Sequence, residues 1–295
     1  MPTETQVDAP LIVASLLILG ILGSSAALWF RHIQRPREDI IEPAGVPAWS
    51  IGWVNFGIFI CAMIISVFLV QSMAAALFFT TPSESEAPLE LTPWLAVMAV
   101  LLLQLPMLAV FYGARRFYPG HYASRLNNVH LSIWAAFRQA LPLFLMFLPV
   151  IWIASLVSTA LLNVLEAAGV IDAFAPQELI TLFQKGGDPL AIGLLVLMAV
   201  VLAPIVEEII FRGCIYRFLK SQTTRLPAQI LSGCVFSMMH ANLMSFVPLV
   251  IVGVLLARAY EKSGNLLVPI WFHAFFNAFS LLMLLITSLS EVIPQ

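Results

Sequence analysis

Long apolar runs separated by short polar stretches set the pattern of this chain. Judged by length and absence of charge, the runs lie at about 10–30, 50–79, 93–114, 140–162, 189–211, 227–240, 246–260 and 266–289. A membrane-crossing helix needs about 20 such residues, so the pattern predicts an all-α fold, a polytopic transmembrane helical bundle of about eight spans. The sixth and seventh runs are shorter than a full span and only 241–245 divides them, which leaves one long re-entrant hairpin as the alternative there. Between runs, 121–138 alternates Arg125, His130 and Arg138 with Leu126, Leu131, Ile133, Trp134 and Phe137, which suits a helix lying at the membrane surface. The stretch 172–187, with Pro176 near its start and Gly186 and Gly187 at its end, reads as a second surface helix.

Composition agrees with a lipid-facing surface: 61% of residues are hydrophobic and 10% charged, against about a quarter charged in soluble domains. The net charge of -2 and the scatter of the basic residues exclude nucleic acid as a partner. Charge placement then orients the bundle. Arg31, Arg35 and Arg37; Arg115, Arg116, Arg125 and Arg138; Arg212, Arg217, Lys220 and Arg225; and Arg258 with Lys262 all fall on one side if eight helices alternate. These are thirteen of the 14 basic residues, all but Lys185. The positive-inside rule makes that side cytoplasmic, with both termini on the other face. Residues 1–10 hold Glu4 and Asp8 without Lys or Arg, and a basic cluster follows the first run, so that run reads as an uncleaved anchor. Cys61, Cys214 and Cys234 have no paired or zinc-like spacing and are expected to be free thiols.

An ionisable group at the membrane centre costs about 2.5–3.5 kcal/mol on insertion scales, so those inside runs are the candidates for chemistry. They cluster late: Glu207 and Glu208 in the fifth run, His240 ending the sixth, His273 and Asn277 in the eighth. The first four runs hold no internal acid. The chain thus divides by content into 1–188, N-terminal transmembrane helices and interfacial segments, and 189–289, the catalytic candidate. Glu208 and Arg212, four apart, share a helical face and can pair, which leaves Glu207, turned about 100° away, as the candidate base. His273 and Asn277, and Phe236 and His240, are also four apart. At about 1.5 Å of rise per residue, Glu207 lies roughly 15 Å from Arg217, His273 roughly 14 Å from Gly264 and His240 roughly 22 Å from Arg225, depths that allow one pocket opening toward the basic side. Pro204 removes one backbone hydrogen bond just ahead of Glu207.

Glu207-Glu208-Ile-Ile-Phe-Arg212, Phe236-Ser-Met-Met-His240 and His273-Ala-Phe-Phe-Asn277 match, in order, the E-E-x-x-x-R, F-x-x-x-H and H-x-x-x-N motifs of the CPBP family of intramembrane peptidases, and over about 190–280 the chain resembles that family. The resemblance includes the type II CaaX prenyl endopeptidases and the bacteriocin-processing, Abi-like proteins. It implies an intramembrane endopeptidase that hydrolyses a peptide bond of a membrane-associated protein or peptide. In it, Glu207 and His240 activate a water, His273 and Asn277 steady the oxyanion, and Glu208 with Arg212 forms a structural ion pair. Preorganised donors at an oxyanion act most strongly where water is excluded.

A metal-dependent version would make His240, His273 and Glu207 the ligands of a zinc ion with an open position. No H-E-x-x-H is present, and an amide such as Asn277 is a poor zinc ligand but a good N–H donor. The expectation is therefore no cofactor, with zinc as the alternative. Expected partners are membrane lipid and a protein or peptide substrate, a lipidated one included. Two further readings compete: a transporter using the same polar cluster as an ion path, and a non-catalytic peptide-binding or immunity protein. The absence of matching polar breaks in the first half speaks against transport.

Overall fold

A computed structural model describes residues 9–35, 45–78, 91–171, 182–183 and 186–292. Its helices are α1 (Ala9–Ile33), α2 (Trp53–Phe78), α3 (Pro93–Phe117), the single turn α4 (Pro119–Tyr122), α5 (Ile133–Ala167), α6 (Pro189–Gln222), α7 (Arg225–Met238), α8 (Leu243–Ser263) and α9 (Leu267–Val292). Seven of them are long and apolar enough to cross a membrane. The eighth long element, α7, has 14 residues and at about 1.5 Å each falls short of a hydrocarbon core of about 30 Å. The all-α polytopic bundle is therefore as read from the pattern, with one helix of partial depth. Outward side chains such as Leu16, Leu19, Ile64 and Leu156 are more than 60% exposed, a surface suited to lipid.

Local chemistry sets where the helices begin. Thr92 caps α3 by accepting from the Leu95 N–H, with Pro93 in the first turn. Ser132 accepts from the Ala135 N–H at 3.1 Å and starts α5. Asp188 accepts from the N–H groups of Leu190 and Ala191 at 2.8 and 3.2 Å and starts α6, with Pro189 following. Asn242 caps α8 through Ser245. In each case a side-chain oxygen takes a donor that the first helical turn leaves orphaned. Gly264 ends α8 at φ 66°, left-handed backbone that glycine adopts without penalty.

One expectation about a connection changes, and another is left untested. Residues 123–132 form no surface helix; the helix begins at Ile133 and runs without a break to Ala167. The backbone of this stretch is spent on docking. Asn128 and Val129 donate to the Gly264 carbonyl, Asn127 accepts from the Leu266 N–H at 2.8 Å, and Val129 accepts from Asn265 at 2.8 Å. The surface helix expected over 172–187 falls mostly outside the described residues, as does Lys185.

The same bonds gather the basic connections at one end of the bundle. Trp49 donates to the Arg217 carbonyl at 3.0 Å, Lys220 to the Val46 carbonyl at 2.7 Å, and the Tyr260 hydroxyl to the Leu126 carbonyl. Two apolar cores stand below them. One joins Trp49, Phe59, Tyr122, Val206, Ile210, Tyr216 and Tyr260; the other joins Phe144, Leu148, Phe211, Phe236, Val252, Leu256 and Phe272. Helix α6 supplies side chains to both, so its polar face is held from two sides. Helices α7 and α8 form a close pair at Gly233 and Gly253, where a Cβ on Gly253 would stand 2.6 Å from the Gly233 Cα. All three cysteines are free.

Candidate active site

Helix α6 does not keep one register. It carries π-helical turns at Met198–Leu202 and Glu208–Tyr216, features that concentrate at functional sites. At the first, the Ala203 N–H reaches back to the Met198 carbonyl, and the next donor in that register would be Pro204, which has no N–H. The Ala199 carbonyl is thereby left over, and Asn277 of α9 donates its amide to it at 2.8 Å. Asn277 thus pins α9 to α6 beside the polar cluster, with one amide N–H committed.

The second π turn starts at Glu208, and here the buried charges meet. Arg212 donates to the Glu208 Oε1 at 2.7 Å, both side chains having no solvent exposure. It also donates to the Gly253 carbonyl at 3.2 Å, and its guanidinium lies 4.5 Å from the centre of the Phe236 ring, a cation–π distance. His273, 3% exposed, places Nδ1 3.0 Å from the same Glu208 Oε1 and Nε2 3.8 Å from the Glu207 Oε2. Glu208 therefore does more than pair with Arg212: it also holds the imidazole. The Glu207 side chain keeps 22% exposure, although its Oε2 is buried, and neither that atom nor the Glu208 Oε2 has a hydrogen-bond partner. Buried carboxylate oxygens are seldom left this way.

His240 meets the cluster through an aromatic ring. Its Nδ1 lies 2.9 Å from the Phe236 carbonyl of its own helix, and its ring packs edge-on to Phe236, with centroids 4.8 Å apart. Phe236 in turn meets His273 at 5.6 Å and Phe211 at 5.2 Å. The structure brings Glu207, Glu208, Arg212 and His273 together, sets His240 against the Phe236 ring and gives Asn277 an anchoring bond. Among the described residues no three His, Cys, Asp or Glu side chains are assembled as a metal-ligand set. The apolar cavity of about 600 Å³ between α6 and α9 is lined by Val196, Val200, Ala278 and Leu282 among others and by none of these polar groups.

One buried acid escaped the reading of the sequence. Glu261, 3% exposed, accepts from Lys220 at 2.6 Å, Arg225 at 3.1 Å and the Tyr216 hydroxyl at 2.9 Å, with the Val46 N–H at 3.4 Å. Its signal was faint: a single carboxylate between Arg258 and Lys262, at a helix end where solvated charges are ordinary.

Fold and site together define a multi-pass helical membrane protein with a Glu–Glu–Arg–His cluster buried between its helices. Residues 189–279 match the family model described as type II CAAX prenyl endopeptidase Rce1-like, and this stretch holds all three motifs by which the chain resembles the CPBP family. A curated relative, "Putative membrane peptidase YdiL" of Bacillus subtilis (strain 168), is 32% identical over 93 residues, 32% of this chain and 38% of that protein. The chain thus matches little more than a third of the relative's length. No solved structure matches it.

Proposed function

We propose that this protein is an intramembrane endopeptidase that cleaves membrane-associated proteins or peptides, with Glu207 as the base. The observation that carries the reading is His273 seated between two carboxylates, one fully engaged and one open. With Nδ1–H donated to Glu208, the imidazole is held in the tautomer that offers the Nε2 lone pair toward Glu207. At 3.8 Å the two groups are too far apart for a direct bond. A water within ordinary hydrogen-bond reach of both fits, because two such bonds span up to about 5.6 Å. Glu207 takes a proton from that water as it attacks the peptide carbonyl, then delivers it to the leaving amine. Glu208 and Arg212 are positioning residues that fix the His273 ring.

The family resemblance adds His240 as a partner in water activation and Asn277, through its second amide N–H, as an oxyanion donor. Both belong to the proposal. The basic end of the bundle is cytoplasmic by the positive-inside rule, and substrate approaches from that side. The match to a prenyl endopeptidase family and the likeness to "Putative membrane peptidase YdiL" support this class of activity.

The test is cleavage of membrane peptides by the full chain purified in detergent, compared with Glu207→Gln and with protein treated with a strong chelator. Activity is expected to survive chelation and to vanish in Glu207→Gln. Cleavage retained by that variant would remove Glu207 as the base. Activity lost on chelation and restored by stoichiometric zinc would recast His240, His273 and Glu207 as ligands.

A further inference from the structure

We propose that the last two turns of α8, with the groove they form against α5 and α9, bind an anionic phospholipid. Arg258 and Lys262 lie four residues apart and are both exposed. Like charges at this spacing oppose each other. Neither has an ion pair or hydrogen bond among the described residues, whereas the neighbouring cations Lys220 and Arg225 are tied to Glu261.

The two cations rim a shallow surface groove, with only about 10 Å³ of enclosed space, whose remaining walls are Leu143, Phe147, Leu255, Ala259 and Phe272. Leu255 lies a turn deeper along α8 than the cations, so the surface passes from positive at the bundle's basic end to apolar toward its middle. That order matches a phospholipid, whose phosphate lies at the interface and whose chains run inward. Basic pockets between membrane helices take anionic headgroups in this way, at about 1 kcal/mol per cation near the surface. A free inorganic anion would satisfy the charge but leave the apolar walls unused, so the structure favours the lipid as occupant. The floor residue Phe272 precedes His273 in the chain and touches Phe144 ring to ring at 6.2 Å, so a bound chain would rest on the helix that carries the imidazole. The site itself does not depend on the proposed peptidase activity.

The experiment measures binding of fluorescent phosphatidylglycerol to the full chain in neutral detergent, with fluorescent phosphatidylcholine and inorganic phosphate as comparison ligands. The double variant R258Q/K262Q is set against R116Q/R125Q, which removes equal charge from the same end. All four residues are exposed, and circular dichroism checks that each variant is helical. Phosphatidylglycerol binding is expected to weaken roughly thirtyfold in R258Q/K262Q, the equivalent of about 2 kcal/mol for two interfacial cations, and to change little in the control pair. Equal loss in both variants, equal binding of phosphatidylcholine, or displacement of the lipid by inorganic phosphate would each overturn the assignment.

Discussion

Glu261 and the Glu207–Glu208 pair are both buried acids set against cations, and they differ in what is left over. Glu261 is surrounded by donors: Lys220, Arg225, the Tyr216 hydroxyl and the Val46 N–H share its two oxygens. The pair has fewer donors than oxygens, and one oxygen of each carboxylate has no partner at all. A buried acid with its lone pairs filled joins helices and loops. One with lone pairs unfilled retains the capacity to accept a proton or orient a water, at a standing cost in stability.

The comparison breaks most directly at Glu207. Glu207→Gln keeps the shape and is expected to cost about 10²–10⁴-fold in cleavage rate with little change in thermal unfolding, read by peptide cleavage and melting of the same preparation. Glu261→Ala reverses the pattern. It should destabilise by about 3 kcal/mol, the low end for breaking a buried pair because Lys220 and Arg225 retain access to solvent, while cleavage per folded molecule stays near the parent's. Melting in detergent beside an activity titration reads both; a stable but inactive Glu261→Ala would move that acid into the chemistry.

Asn277→Leu tests the anchoring bond and is expected to cost about 1–3 kcal/mol, since it strands the Ala199 carbonyl. If Asn277 is also an oxyanion donor, the cleavage rate should fall by more than this loss of folded protein explains. The smallest effect is expected at Asp188, far from either cluster along α6. The N–H of Ala191, the indole of Trp94 and the N–H of Leu190 hold its carboxyl below the ordinary 3.8. Its contribution is therefore complete above the unfolded value and fades as pH falls through the lower folded one. Asp188→Ala should melt slightly earlier than the parent near neutral pH and alike in strong acid, measured as melting temperature against pH.

What the sequence disclosed follows from the physics of lipid. Apolar runs must become helices where no water can satisfy the backbone, so most spans were legible to within about three residues, although α5 (Ile133–Ala167) starts well before its run at 140–162 and α6 (Pro189–Gln222) continues well past its run at 189–211; four-residue spacing announced Glu208 with Arg212. The sixth and seventh runs both read as too brief for a full span; that holds for α7, whereas α8, with 21 residues, is long enough to cross. Bonds that depend on irregular backbone were not legible. Nothing in 121–138 says that Asn127 and Asn128 will dock on the α8–α9 turn, and its alternating pattern passed for a surface helix. Likewise Pro204 was readable as a lost hydrogen bond, but the orphaned carbonyl at Ala199 and its capture by Asn277 required knowing that α6 changes register. That Glu208 serves His273 as well as Arg212 is a contact between elements 65 residues apart.

The wide turns of α6 also carry a consequence for angular phase. The helix serves the open acids at its middle and the saturated acid near its end, and Glu208–Tyr216 is the stretch that separates the two duties. An i→i+5 turn accommodates one more residue than an α turn, so the bearing of Tyr216 and Lys220 relative to Glu208 depends on that slack. Deleting a single residue from the stretch would advance everything beyond it by about 100°, swinging Lys220 off Glu261 while leaving Glu207 and Glu208 where they stand. The helix is in effect a two-ended gauge whose zero is set by its irregular part, and a chain repaired to ideal α geometry there would gain regular hydrogen bonds and lose its alignment.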